Sequence, residues 1–164
     1  MVKVLVSYYS LTGNTAKMAE AVAEGARAAG AEVVLKKVEE TTTDDLRGAD
    51  GIIIGSPTYY GQMAAQVKQF FDRSSGVRGR LENKVGAAFT SSGSQEGGNQ
   101  TTLLSILQAM LIHAMIVVGD PMKAGGHYGT ISIGKPDGSC EEACRLLGAR
   151  VADLASRLAG RPTV

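Results

Sequence analysis

The chain begins Val2-Lys3-Val4-Leu5-Val6-Ser7-Tyr8-Tyr9-Ser10-Leu11-Thr12-Gly13-Asn14-Thr15 and runs on into a stretch where Ala19, Val22, Ala23 and Ala26 recur. The residues from Val2 to Ser7 have the β-branched, apolar character of a buried strand. The recurrence after Asn14 has helical spacing, with a small-residue face that lets a helix lie close on a sheet. Gly30 stops that helix just after Ala29. A strand leading through a polar turn into a helix is a βα unit, and the rest of the chain repeats it.

Glu32 to Val38 reads as a second strand, followed by Thr43-Asp44-Asp45 capping a short helix that ends at Gly48. Gly51 to Gly55 is a third strand, apolar without alternation, as in a strand covered on both faces. A helix from Met63 to Ser74, a strand from Val85 to Thr90, a helix from Gln100 to Ile112 and a strand from Met115 to Val118 come next. A long connection from Gly119 to Gly138 holds a short strand candidate at Thr130 to Ile133. The last helix spans Ser139 to Leu158, with Cys144, Leu147, Val151, Leu154 and Leu158 as its core stripe. The expected fold class is α/β: one doubly wound domain over residues 1–164, a five-stranded parallel sheet with right-handed crossovers and helices on both faces.

Composition narrows the function. The 164 residues are 44% hydrophobic and 20% charged, a globular balance with room for one sizeable core. Seventeen basic against sixteen acidic residues leave a net charge of +1 with no Lys/Arg run, which demotes nucleic acid as a partner. No apolar stretch nears the ~20 residues that span a bilayer, so no membrane insertion is expected. The start of the chain enters a strand at once rather than a secretion signal, and there are two cysteines, so a reducing, cytoplasmic location is expected.

In a doubly wound sheet, ligands bind beyond the carboxyl ends of the strands. Three hydroxyl- and glycine-rich loops leave the sheet there: Tyr8 to Asn14, Ser56 to Gln62 and Ser91 to Gly98. The five tyrosines (Tyr8, Tyr9, Tyr59, Tyr60, Tyr128) are expected on this edge too, where they would flank a planar ligand. In the first loop, backbone N–H groups at a helix start, the Ser10, Thr12 and Thr15 hydroxyls and the Asn14 amide suit a phosphate monoester held by neutral donors. No Gly-x-x-x-x-Gly-Lys or Gly-x-Gly-x-x-Gly motif is present, which argues against triphosphate and dinucleotide loops. The ends of strands one and three carry no carboxylate, which weakens a phosphoacceptor reading.

Ser10-Leu11-Thr12-Gly13-Asn14-Thr15 resembles the FMN-phosphate loop of flavodoxins. Gly55-Ser56-Pro57-Thr58-Tyr59-Tyr60-Gly61-Gln62-Met63 and Phe89-Thr90-Ser91-Ser92-Gly93-Ser94-Gln95-Glu96-Gly97-Gly98 resemble the WrbA-type NAD(P)H:quinone oxidoreductases of the flavodoxin-like family. The likeness extends in order through Gly125-Gly126-His127-Tyr128-Gly129 to the last helix. It implies FMN as cofactor, with Ser10 to Thr15 on the phosphate. Pro57, Thr58, Tyr59, Tyr60 and Gly61 would lie along the ribityl chain and ring, with Ser91, Ser92, Gly93, Ser94, Gln95 and Glu96 as the third wall.

The resemblance further implies passage of two electrons from NAD(P)H to a quinone-like acceptor, with His127, Tyr128 and Arg78 as substrate contacts and no single catalytic residue. Arg78 and Arg80 replace an aromatic that closes the substrate side in the family; they meet an anionic group of NAD(P)H or are solvated surface arginines. His113 sits where the family has paired histidines and is read as a helix cap or a ligand. Cys140 and Cys144 are read as packing residues, and no metal site is expected. The family's insertion between strands two and three is missing from Glu39 to Asp50, so the expected homo-oligomer is a dimer or a tetramer. Two other functions stay open: a flavodoxin-type electron carrier with no substrate of its own, against which the net charge of +1 speaks, and a non-catalytic binding module.

Overall fold

The computed structural model describes residues 1–160. Its opening unit is β1 (Lys3–Tyr8) and α1 (Asn14–Ala28), and β2 (Glu32–Lys37) returns parallel to β1. The short α2 (Thr43–Gly48) is capped one residue earlier than expected: the Thr42 hydroxyl accepts the Asp45 N–H while the Asp45 carboxylate accepts the Thr42 N–H. Then follow β3 (Gly51–Tyr59), β4 (Gln62–Met63), α3 (Ala65–Arg73), a 3₁₀ turn at Ser74–Val77 and β5 (Val85–Ser92). α4 (Asn99–Ile112), β6 (Ile116–Val117), a 3₁₀ turn at Met122–Ala124, β7 (Thr130–Ile133) and α5 (Gly138–Ala159) complete the described residues. The last four residues of the expected domain, 161–164, lie outside them.

The sheet holds seven strands rather than five, in the order β2-β1-β3-β5-β6, with β4 against β3 and β7 against β5. The difference has two causes. First, β3 overruns its expected end and folds back on itself. Thr58 and Tyr59 pair antiparallel with Met63 and Gln62 around Tyr60 and Gly61, both with positive φ. Second, the fifth position is shared. β6 pairs with Val85 and Gly86 at the start of β5, β7 pairs with Phe89 to Ser92 at its end, and both lie on the side of β5 that β3 leaves free. The expected strand at Met115 to Val118 is therefore only half of one, and residues 118–129 form a loop let into it.

Alternate residues of the strands enter two cores, because the sheet is covered on both faces. Val4, Val6, Ile53 and Phe89 pack with α1 and α5; Leu5, Ile52, Ile54 and Ala88 pack with α3 and α4. The first layer depends on two glycines at the α1–α5 crossing. A Cβ on Gly148 would lie 2.0 Å from the Val22 carbonyl oxygen, and one on Gly25 would lie 1.9 Å from that of Arg145. Neither position has room for a side chain, so the helices meet backbone to backbone. This fixes the second half of α1 against α5.

Candidate functional site

β1 delivers the first loop to the carboxyl edge, and Gly13 starts α1 from a left-handed conformation, φ +102°. An L side chain at that angle is strained, so the turn calls for glycine. The Gly13 N–H donates to Ser10 Oγ at 3.2 Å, which curls the loop inward. No side chain caps α1 and no acidic residue stands in its first turn. The free N–H groups of a 15-residue helix therefore face the loop with their partial positive charge unanswered. Lys17, the nearest lysine along the chain, is turned away: its Nζ pairs with Glu141 at 2.6 Å. The donor set is neutral, and it fits the terminal phosphate of FMN. Thr12 and Leu11 are exposed, while Thr15 is buried and shares a 2.8 Å hydrogen bond with Ser91 of the third loop.

The second loop is a two-residue hairpin. Tyr60 and Gly61, at φ +52° and +73°, both take the left-handed backbone conformation, and a two-residue turn of that kind matches the right-handed twist of the flanking strands β3 and β4. Its base is fixed by buried hydroxyls. Ser56 Oγ accepts the Ala64 N–H at 2.8 Å, Thr90 Oγ1 donates to the Ser56 carbonyl at 2.7 Å, and Thr58 Oγ1 meets Thr90 Oγ1 at 2.9 Å. Pro57 is buried at the root of the hairpin. Tyr59 is partly exposed, its hydroxyl pushed above the usual tyrosine range by burial and by Tyr9 beside it. Tyr60 projects fully into solvent. An exposed aromatic at a hairpin tip is a ready face for a planar ring.

The third loop leaves β5 at Ser91 and Ser92, both buried, and continues through exposed Gly93, Ser94, Gln95 and Glu96. Ser92 Oγ donates to the Ser94 carbonyl at 2.7 Å. Gly98, at φ +91°, starts α4, and a Cβ there would stand 2.5 Å from the Gly61 Cα. The second and third loops thus touch main chain to main chain, a contact that the glycines expected behind Glu96 make possible. Buried Asn99 fastens the turn, its Nδ2 donating to the Gln95 carbonyl at 3.4 Å and its Oδ1 accepting the Gln100 N–H at 2.9 Å. Sequence reading missed Asn99; its place directly after Gly97-Gly98, where a helix must start, is the signal that marks it.

The structure brings these three loops together. The three expected substrate residues stand elsewhere. Arg78 follows the 3₁₀ turn at the foot of α3, beside His113, which precedes β6 at the amino edge of the sheet. That is the opposite edge from the loops, so Arg78 makes no contact with a ligand held in its own chain's loops. Helix α3 runs antiparallel to the strands and carries its last turn away from the site. His127 and Tyr128 lie on the loop let into the fifth strand, which re-enters the sheet beside Ala88 at the middle of β5. Both are exposed, at the side of the sheet rather than over its carboxyl end. The His127 N–H donates to the carboxylate of buried Asp120, and Arg150 holds the carbonyls of Gly119 and Asp120 at 3.0 and 2.8 Å. The Tyr128 part of the expected aromatic edge is corrected accordingly.

His113 is a core residue. Ser74 Oγ gives its proton to the Phe71 carbonyl at 2.6 Å, so the 2.7 Å contact with His113 Nε2 requires the histidine N–H to donate. Its Nδ1 is buried without a partner. Burial, with Arg78 nearby, holds the ring below the ordinary histidine range. Among the described residues no group of three or more His, Cys, Asp or Glu side chains is placed to hold a metal ion.

The family model described as NADPH-dependent FMN reductase matches residues 36–129, which include the second and third loops. The chain belongs to that family. A protein named NAD(P)H dehydrogenase (quinone) from Archaeoglobus fulgidus is 40% identical, the match covering 96% of this chain and all of the relative. One of the same name from Sinorhizobium fredii is also 40% identical, over 97% of this chain and all of that one. Since the first alignment has 190 positions and this chain 164 residues, at least 26 positions of the family relative have no counterpart here. Among solved structures, a flavodoxin, WrbA-like protein from Agrobacterium tumefaciens superposes with a TM-score of 0.83 at 32% identity, covering 96% of this chain and 99% of that one. A flavodoxin from the domain Archaea gives 0.80 at 28% identity, over 94% and 99% of the two chains. The flavodoxin-like architecture is thus common to this family member and its neighbours.

Proposed function

We propose that the protein is an FMN-dependent oxidoreductase that passes two electrons from NAD(P)H to a quinone-like acceptor. The observation that carries this is the convergence of three loops on one edge: an uncapped helix start for a phosphate, a hairpin tyrosine for a ring, and a glycine-lined wall behind both. Bound FMN supplies the two-electron chemistry that no protein side chain offers. The chain's own residues hold and orient. Ser10, Thr12, Gly13, Asn14 and Thr15 grip the phosphate through hydroxyls, an amide and the α1 N–H groups. Leu11 is carried on the tip of the same loop. Pro57 to Gly61 and Ser91 to Glu96 line the remainder, and the Ser56–Thr90–Thr58 hydroxyls keep the two walls at fixed spacing. Such preorganised neutral donors stabilise negative charge without a fixed cation.

Quinone and pyridine nucleotide are the substrates because full-length relatives at 40% identity carry the name NAD(P)H dehydrogenase (quinone). We place the protein in a reducing cytoplasm on the strength of its two free cysteines; no described helix is long and apolar enough to cross a membrane. A homo-oligomer is supported by exposed Tyr60, Leu111 and Ile112 around the α3–α4 groove. Arg78 reaches a flavin site only as the residue of a second copy.

Steady-state NAD(P)H oxidation by the purified FMN-loaded protein with 1,4-benzoquinone tests the proposal. Turnover that needs both flavin and quinone supports it. Tight flavin binding with no turnover would make the protein an electron carrier instead, and absence of flavin binding would remove both.

A further inference from the structure

The groove between α3 and α4 holds about 790 Å³, within the range of small-molecule sites. It opens at the β3–β4 hairpin, where Tyr59 and Tyr60 form its upper end. The same two residues stand among the walls assigned to the flavin, so the groove is continuous with the place where the quinone ring is reduced. From there it follows α4 away from the carboxyl edge of the sheet. Ser105, Gln108, Ala109 and Ile112 recur on that helix with helical spacing, one face over two turns, about 10 Å long. Met63 of β4 and Ala65 of α3 complete the floor.

The polar groups on these walls are already engaged or face water. The Ser105 hydroxyl accepts the Met63 N–H at 3.2 Å and donates to the Thr102 carbonyl at 2.7 Å, so both its roles are filled. Lys68 Nζ is paired with Asp72 at 2.7 Å, one turn further along α3, which leaves its alkyl stem for the groove. The Gln62 and Gln108 amides belong to exposed side chains. Met63, Ala65, Ala109, Ile112 and the two tyrosine rings therefore present an apolar strip that the chain itself leaves uncovered. Tyr60 and Ile112, which mark its two ends, are both exposed.

We propose that this groove takes the hydrocarbon tail of a prenylated or long-alkyl quinone whose ring is reduced at the loops. The proposal rests on the quinone reading and narrows it to lipid-soluble acceptors. A tail attached to the ring passes Tyr59 and Tyr60 and lies along α4 toward Ile112, exchanging water for apolar wall. A quinone without a tail gains nothing from the groove. A second copy that meets the chain through Tyr60 and Ile112, at the two ends, bridges the floor between them, so self-association and tail binding do not exclude each other.

The test compares two acceptors on the FMN-loaded protein without detergent: a dimethoxy-methyl-benzoquinone with no tail, and the same ring carrying a decyl chain. In calorimetry without NAD(P)H the decyl quinone should bind at least about tenfold more tightly, a gain that needs only about two buried methylene groups. In turnover its KM should be lower by the same factor at similar kcat. Decanol should compete with the decyl quinone and not with the tailless one. Ala65→Glu sets a carboxylate on the groove floor at an exposed position in the first turn of α3, where an acid favours the helix. It should abolish the decyl advantage and leave turnover of the tailless quinone as it is. Equal binding of the two acceptors, or a decyl advantage kept in Ala65→Glu, would overturn the tail site while tailless turnover still upholds the quinone reading. No turnover of either acceptor would remove that reading, on which the proposal rests. A smaller assembly of Ala65→Glu in light scattering, with both activities falling together, would make the groove a contact between copies and overturn the proposal as well.

Discussion

Thr15 Oγ1 and Ser91 Oγ, 76 residues apart in the chain, share a buried hydrogen bond of 2.8 Å. It joins the first turn of α1 to the end of β5, and so ties the first loop to the third. A site assembled from separate loops gains its precision from such ties, because each one removes freedom the ligand would otherwise have to freeze.

Removing either hydroxyl leaves the other buried without its partner. Thr15→Val and Ser91→Ala should each cost about 1 kcal/mol of stability in urea unfolding. In a double-mutant cycle the pair should recover part of that, with a coupling of roughly 0.5–1.5 kcal/mol. Fluorescence titration should show FMN bound several-fold more weakly by Thr15→Val. Strictly additive losses would mean that the two loops are not coupled.

Most of this arrangement was legible in the sequence, for local reasons. β-branched runs, small-residue helix faces and the Gly13 turn are short-range signals, and they placed α1, α4 and α5 to within about two residues of where they lie and β3 at its start, though it runs four residues past its expected end. What could not be read depends on partners distant in the chain. The division of the fifth strand is decided by which ends of β5 are left unpaired, a fact absent from Met115 to Val118 and from Thr130 to Ile133 taken singly. The hairpin at Tyr60 needs a positive φ on a tyrosine, which propensity argues against. Arg78 is expected at the site because it stands where the resembled family has an aromatic closing the substrate side, but a helix antiparallel to the strands delivers its end to the other edge.

Thr12 is exposed, so a change there leaves the packing alone. Thr12→Asp would set a carboxylate against the phosphate in a loop with no cation of its own. Like charges a few ångströms apart near a surface repel by a few kcal/mol before salt screening. FMN affinity should fall at least about tenfold, and more at low ionic strength, while the melting temperature of the flavin-free protein stays put. An unchanged titration would remove the phosphate from this loop.

Tyr60 holds φ +52° with its side chain in solvent. A left-handed conformation costs a non-glycine residue roughly 1–2 kcal/mol, and Asn tolerates it better. Tyr60→Asn should therefore raise the melting temperature of the flavin-free protein by about 2–4 °C per kcal/mol recovered. The same variant should bind FMN more weakly and turn over quinone more slowly, since it removes an aromatic face. Gain of stability with loss of binding would show that the strain serves the ligand.

His113 is neutral in the fold, with its ring held below the ordinary histidine value by burial and by Arg78. The unfolded chain takes up a proton near pH 6.5, where the folded one does not. The unfolded state then binds more protons, so stability is full above pH 6.5 and falls as the pH drops below it. Melting temperatures measured from pH 7.5 to 5 should decline in the wild type. His113→Gln, which keeps an N–H for Ser74, should flatten that decline. A slope equal to the wild type's would assign the effect to other groups.

Gly148 lies where α5 crosses α1, the helix that carries Thr15 in its first turn. A methyl group at Gly148 meets the Val22 carbonyl oxygen at 2.0 Å, and backbone on both sides leaves nothing flexible to yield. Overpacking of this kind costs typically ~1–3 kcal/mol and more where main chain must move. Gly148→Ala should lower the melting temperature by several degrees and, by displacing α1, weaken FMN binding without touching the loop itself. Gly48→Ala, at a position where a Cβ meets nothing within 4 Å, is the control and should leave both unchanged. If Gly148→Ala melts lower yet binds flavin as the wild type does, the crossing supports the fold but does not position the phosphate loop.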